Sequence, residues 1–315
     1  MKRAMVTLCA VTLAGIAGFA DTRAAHHPQQ DKQKQKGTIR VQTDLVNILA
    51  SVTDAKGEPV IGLGQNAFQL FEEGVAQKIV SFEPQTNRPL DLALMVDTSG
   101  SAVIELKIER DAALHFVDEV VRPGDRLSVF SFTSDVVQLC GFSDDPRLLE
   151  AAVRRVDPGA DMGTSLYDAV VLGSQSVRRQ GADRRRAIVI ITDAGETTSI
   201  SKFDDARRAA IASETLLYTV VMRPMKSNGG WNTAGEHAIE TITDSTGGAM
   251  YYPTDLSELT GIFDRINREL RTQYLLGYYP NPTPPPGVSR HVEVKVNTGD
   301  NVRSRTEYFT AGAAR

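Results

Sequence analysis

Apolar positions along the chain change their period twice, and the changes divide it into three stretches. From Ile39 the spacing is strand-like. Val41, Leu45, Ile48 and Val52 sit among Thr, Asn and Asp, and Asp54-Ala55-Lys56-Gly57 reads as a hairpin-type turn. Phe68 to Phe71 and Ile79 to Phe82 read as short strands, with Glu72-Glu73-Gly74 as an exposed turn between them. After a polar connector, Pro84 to Pro89, short apolar runs begin to alternate with helical patterns. Strands are predicted at Leu92–Val96, Arg126–Phe132, Ala187–Thr192, Leu216–Val221 and Ala249–Tyr252, with Val136–Cys140 as a short antiparallel edge. Between them lie helical patterns at about 103–121, 144–156, 164–177, 201–213, 233–245 and 256–272. In the first of these, Ile104, Ile108, Ala112, Phe116 and Val120 form one stripe, and Pro123-Gly124 stops it. After Gln273 the pattern returns to β, at Tyr274–Tyr279, Arg290–Val296 and Arg303–Phe309, with Pro280–Gly287 a stiff loop.

Strands alternating with helices predict an α/β fold, a doubly wound and mostly parallel six-stranded sheet. Each β flank is short for an independent core. Residues 39–86 and 274–310 are therefore expected to combine into a small antiparallel β-sandwich, with 87–273 inserted between them. That insertion is feasible if the first strand's entry and the last helix's exit lie together at one edge of the sheet.

The strand Leu92–Val96 ends in Asp97-Thr98-Ser99-Gly100-Ser101, so three hard oxygen side chains follow a buried strand and Gly100 allows a sharp turn. Ligands of open α/β sheets bind just beyond the carboxyl ends of the strands. A carboxylate and two hydroxyls suit a small hard cation such as Mg²⁺, which takes near-octahedral oxygens at about 2.0–2.1 Å. Taken alone, the same residues could simply cap the next helix or shape a turn. Two further segments bear on the choice: Gly163-Thr164-Ser165-Leu166-Tyr167-Asp168, opening a helical pattern, and the strand Ala187–Thr192, ending in Asp193.

In that order these segments resemble the metal-ion-dependent adhesion site of von Willebrand factor type A domains. That family carries D-x-S-x-S after its first strand, a Thr on a middle loop and an Asp after its fourth strand. The resemblance implies one divalent ion, Mg²⁺ with Mn²⁺ or Ca²⁺ as alternatives, held by Asp97, Ser99, Ser101, Thr164 and Asp193. It further implies hydroxyls that ligate directly, aspartates acting through water, and an open position for an Asp or Glu carboxylate of a partner protein. Ala194 stands where the family often has Gly. The phrases V-T-D-A-K-G-E-P-V, F-Q-L-F-E-E-G, Q-K-I-V-S-F and Q-Y-L-L-G-Y-Y-P also resemble exported bacterial proteins known as VWFA-related, common in acidobacteria, a family name that carries no established activity.

A formal charge of −4 over 315 residues argues against nucleic acid as the main partner. Lys2-Arg3, the apolar run Met5–Phe19 and Gly18-Phe19-Ala20 read as a signal peptide over 1–20, followed by a polar linker over 21–38. The run is too short to span a bilayer, and no later stretch is long and apolar enough. The expected location is periplasmic or extracellular, with an uncleaved anchor as the alternative. Beyond the leader Cys140 stands alone, so no internal disulfide is expected. Arg184-Arg185-Arg186 reads as a solvated rim, and Trp231 as either a binding anchor or a surface residue. A Mg²⁺-assisted hydrolase is the rival reading, with Glu196 the best candidate base and Asp168 a group orienting the Thr164 loop. A structural spacer with an empty site is the third. The chain shows no G-x-S-x-G, P-loop or Cys/His pairing.

Overall fold

The computed structural model describes residues 45–84, 88–100, 103–158, 162–181, 183–222 and 233–310, with the side chains of 103–105 left aside. The leader, the linker, Ser101 and Trp231 lie outside the described residues. In chain order the strands and helices are β1 Val46–Thr53, β2 Phe68–Glu72, β3 Val75–Gln77, β4 Ile79–Glu83, β5 Leu90–Asp97, α1 Val103–Val120, β6 Arg126–Phe132, β7 Val136–Ser143, α2 Pro146–Arg154, α3 Leu166–Arg178, β8 Arg185–Thr192, α4 Phe203–Ala212, β9 Thr215–Val221, α5 Thr233–Thr246, β10 Ala249–Tyr251, α6 Leu259–Arg271, β11 Tyr274–Tyr278, β12 Ser289–Val296, β13 Asn301–Ser304 and β14 Glu307–Phe309.

The central sheet has the order β10-β9-β8-β5-β6-β7. Its strands are parallel except β7, which returns antiparallel along β6. Both faces are covered, which is why β5, β8 and β9 are buried along their whole length rather than alternating. Leu90, Leu92, Leu94 and Val96 of β5 pack with α1, α2 and α6. Ala93 and Met95, pointing the other way, pack with α3, α4 and α5. The period of two in β5 thus feeds two separate cores, each fully buried aliphatic side chain contributing about 1.5–3 kcal/mol.

The two β flanks interleave into two four-stranded sheets, β13-β1-β11-β4 and β14-β12-β2-β3. In the first, β1 pairs antiparallel with β11 and β13. In the second, β12 pairs antiparallel with β2 and β14. Their shared core holds Ile48, Val52, Leu70, Tyr274, Leu276 and Tyr278 among others. Residues from Thr43 onward form one compact unit. The entry of β5 and the exit of α6 meet at one edge of the central sheet: Arg185 Nε donates to the Arg88 carbonyl at 2.9 Å, and its Nη1 to the Leu270 carbonyl and to Gln273 Oε1.

Three expectations are corrected. The stretch 303–309 is two strands, not one: β13 joins the first flank sheet and β14 the second, with Arg305-Thr306 crossing between them. Glu72 is not an exposed turn residue. It ends β2 at 1% exposure, accepts from Tyr278 Oη at 2.7 Å and Tyr308 Oη at 3.2 Å, and pairs with Arg290 at 2.8 Å. A buried carboxylate survives only with such partners. Arg184–Arg186 is not a solvated rim, since Arg185 and Arg186 are buried. The inward set of β1 is Val46, Ile48, Ala50 and Val52, while Leu45 is exposed.

Candidate metal centre

Three loops meet at the carboxyl edge of the central sheet because β5, β6 and β8 are parallel neighbours and end together. The loop after β5 carries Asp97 and Ser99. It is tied to β6 by the Thr98 amide donating to the Phe132 carbonyl at 2.9 Å. Gly100 lies at φ 62°, the left-handed turn its sequence position anticipates. The loop before α3 carries Thr164 and is anchored through Ser165, whose amide donates to the Thr133 carbonyl at 2.7 Å and whose Oγ donates to the Ser134 carbonyl at 2.7 Å. The loop after β8 carries Asp193.

The oxygens connect across these loops. Thr164 Oγ1 donates to Ser99 Oγ at 2.7 Å, and Ser99 Oγ donates to Asp97 Oδ1 at 2.6 Å. Asp97 Oδ1 also accepts from the Ser99 amide at 3.0 Å, and Oδ2 accepts from Thr192 Oγ1 at 2.7 Å. Asp193 Oδ1 accepts from the Gly195 amide at 2.8 Å. A Cβ built on Gly195 would stand 2.9 Å from Asp193 Oδ1 and 3.3 Å from Thr164 Oγ1, so these two side chains flank one small space that a glycine leaves open. Asp97 and Thr164 are buried, Ser99 is half-buried and Asp193 is exposed, so the cluster faces solvent on the Asp193 side. Four of the five expected positions are therefore gathered at one point, and Ser101 lies outside the described residues.

The donor set fits a hard cation. It offers two carboxylates and neutral hydroxyls, the oxygen chemistry of Mg²⁺ or Ca²⁺. Among the described residues no group of three or more His, Cys, Asp and Glu could hold a metal. Any ion here depends on the serine and threonine oxygens.

The remaining loop chemistry is positional. Glu196 accepts from the Tyr167 amide at 3.0 Å, the Ser199 amide at 3.0 Å and Ser199 Oγ at 2.7 Å. It ties the first turn of α3 to the loop after β8. Asp168 accepts from the Ile200 amide at 2.8 Å and the Ser201 amide at 2.9 Å. Burial pulls its pKa up, but the bonds from Ser201 and Ile200 outweigh that and lower it. Asp168 thus orients the loop at 200–201 rather than the Thr164 loop. Ala194 is buried at φ 62°. A left-handed alanine costs about 1–2 kcal/mol, the physical reason a glycine suits that position. The sequence reading also missed Thr192, which holds Asp97 from the end of β8. Its signal is visible afterwards: a polar residue closing an otherwise apolar strand, directly before Asp193.

Residues 92–196 match the von Willebrand factor type A domain family. This chain carries a von Willebrand factor type A domain. All four gathered positions lie inside the matched stretch. Among solved structures, the chain is similar to a von Willebrand factor type A protein from Catenulispora acidiphila, at 10% identity and TM-score 0.50, covering 85% of this chain and 74% of that one. At this identity the likeness speaks for the fold. An aerotolerance-related membrane protein from Bacteroides fragilis is also similar, with 18% identity, 57% and 98% coverage and TM-score 0.46. So is the pilus adhesin SpaC from Lactobacillus rhamnosus GG, with 8% identity, 79% and 48% coverage and TM-score 0.49. No curated protein matches the chain. No described helix is long and apolar enough to cross a membrane.

Burial of Asp97 raises its pKa from 3.8 to about 6, against the lowering bonds from Ser99 and Thr192. This sets a pH dependence for the metal-free type A domain. Below pH 3.8 the carboxyl is protonated both folded and unfolded. Between there and about 6 the unfolded chain ionises while the folded one holds its proton, so stability falls as pH rises. Above about 6 a constant penalty of about 3 kcal/mol remains. Urea titrations at pH 4 and pH 7.5 in EDTA should show that contribution to the difference. A chain carrying Asp97→Asn should lose it, and identical pH slopes in the two proteins would contradict the assignment.

Proposed function

We propose that this chain is an exported, cation-dependent protein-binding module. A Mg²⁺ ion would be held by Asp97, Ser99, Thr164 and Asp193, with Ser101 joining on the sequence pattern, and a partner protein would supply an Asp or Glu carboxylate. The observation that carries the reading is the hydroxyl–carboxylate chain Thr164–Ser99–Asp97 beside Asp193, at the solvent-facing rim of a parallel sheet. With two acidic residues and the rest neutral oxygens, a bound ion supplies an electrophilic position for an incoming carboxylate. The chain's own part is rigidity. Thr192, Ser165 and Glu196 fix the three loops, so little conformational freedom is lost on binding.

Export is part of the proposal and rests on the leader-like residues 1–20. The hydrolase reading has no added support. Its candidate base, Glu196, is committed to three hydrogen bonds that hold backbone and Ser199.

Affinity capture from a cell-envelope extract of the source organism, in Mg²⁺ and in EDTA, tests the reading. Specific proteins should be retained with Mg²⁺, released by EDTA and not retained by Asp97→Asn, while Mg²⁺ titration calorimetry on the purified chain shows one site. Capture unchanged by EDTA and by the substitution would overturn it, as would calorimetry without a cation site. Substituting Mn²⁺ or Ca²⁺ for Mg²⁺ reports the preferred ion.

A further inference from the structure

At the opposite edge of the central sheet from Asp97, a cavity of about 80 Å³ opens where the flank sheets meet the type A domain. Arg88, Arg184, Arg185, Arg186 and Arg305 line it, facing a single carboxylate in the lining, Glu214. Leu49, Ile211, Leu216 and Leu275 supply apolar wall. Strand β8 runs from Arg185 to Thr192, so this cavity lies roughly 20 Å from the metal centre.

The charges here do not balance. Arg184 shares the buried Asp91 with Arg126, at 2.7 and 3.0 Å. Arg88 meets Glu83 at 3.4 Å, with both side chains substantially exposed. Arg185, Arg186 and Arg305 are 5%, 7% and 8% exposed. Arg186 and Arg305 share Glu214, at 3.7 and 3.0 Å, and that carboxylate is 54% exposed. Their other bonds go to neutral carbonyls: Arg186 to Ser213 and Gly181, Arg305 to Asn47, Arg185 to Arg88 and Leu270. These carbonyls hold the guanidiniums in place without neutralising them. The Nε atoms of Arg186 and Arg305 are buried without a hydrogen-bond partner. Buried charge lacking a matched counter-charge is costly, and a small anion would relieve it.

We infer that this arginine-lined cavity is a binding site for a soluble oxyanion of the phosphate class. Guanidinium forks match the geometry of such an anion, and several converging here would give two-point recognition. The size agrees: the cavity takes several water-sized guests but is far below the roughly 300–1,000 Å³ of drug-sized ligand sites. Burial, with Arg271 nearby, pulls the pKa of Arg185 down to about 10, and burial lowers that of Arg186, both marks of positive charge in a poorly solvated place.

Two substitutions should move binding in opposite directions. Calorimetry of the purified chain with inorganic phosphate, in EDTA and against sodium chloride at matched ionic strength, should show one saturable site. Arg88→Ala, at the exposed mouth, should weaken it several-fold. Glu214→Gln, which removes the competing carboxylate but keeps its amide oxygen, should tighten it several-fold. Asp97→Asn should leave it unchanged, separating this site from the metal centre. The inference is overturned if phosphate does no more than chloride, if Glu214→Gln weakens binding, or if only vesicles containing phosphatidic acid bind and free phosphate does not.

Discussion

Asp97→Asn is expected to abolish cation binding while making the metal-free protein more stable at neutral pH. The two effects share one cause. Asp97 is almost fully buried at the end of β5, and burial lifts its pKa to about 6. Its charge at pH 7.5 is therefore held at a cost of about 3 kcal/mol. Asparagine has the same shape, can accept from Ser99 through its own oxygen, and carries no charge to desolvate. Its amide can donate to Thr192 Oγ1, which already accepts from the Ala194 amide at 3.0 Å. The melting temperature in EDTA should rise by several degrees. Mg²⁺ affinity, measured by calorimetry or terbium luminescence, should fall by at least about 100-fold, since even outer-sphere partners of metal ligands are worth about 10–100-fold. If Asp97 merely shaped the turn, the outcome would invert: lower melting temperature and no change in the cation titration. A group whose removal stabilises the empty fold is one kept for what it binds.

The gathering of Asp97 and Asp193 was legible in the sequence because both sit at strand ends, and strand ends are where an apolar run stops. Asp97 follows Leu92–Val96 and Asp193 follows Ala187–Thr192, so the parallel order of β5 and β8 brings them together without further information. Thr164 is different: no local pattern dictates its place. It arrives because Ser165 is fastened to the carbonyls after β6, a contact 31 residues apart that only the family resemblance anticipated. The interleaved flanks were legible for a similar reason, since neither is long enough to bury its own apolar face.

What escaped the sequence is charge that goes inside. Glu72 lies beside a Glu-Gly turn, and Arg184–Arg186 form a charge run, both ordinary marks of surface. Each is buried because its partner comes from a distant strand or helix: Arg290 and Tyr278 for Glu72, the Leu270 and Ser213 carbonyls for Arg185 and Arg186. Local composition cannot report partners that lie 27 to 218 residues away. The split of 303–309 into β13 and β14 escaped likewise. Period-two alternation continues through both strands, and the change of sheet at Arg305-Thr306 is set by Thr306 donating to the Ser245 carbonyl at 3.1 Å.

Gly248→Ala is expected to prevent folding, and the turn it occupies shows why. A methyl group at Gly248 would stand 1.7 Å from the carbonyl oxygen of Leu217 and 2.6 Å from its carbon. These are backbone atoms in the middle of β9, held by pairing with β8 on one side and β10 on the other. No rotamer change relieves the clash, so β10 must leave the sheet. Its departure would also disturb α5, whose Ile239 and Ile242 are fully buried in the core shared with α3 and α4. Inserting one methylene into a packed core typically costs 1–3 kcal/mol, and with rigid backbone on the other side of the contact the cost here should exceed about 4 kcal/mol. Gly57→Ala provides the comparison. That glycine has φ 79° but open space around its Cβ position, so it should lose only about 1–2 kcal/mol. Thermal unfolding and soluble yield of the two proteins decide the matter. A Gly248→Ala chain melting within about 2 °C of the parent would mean that β10 does not dock beside β9 as described.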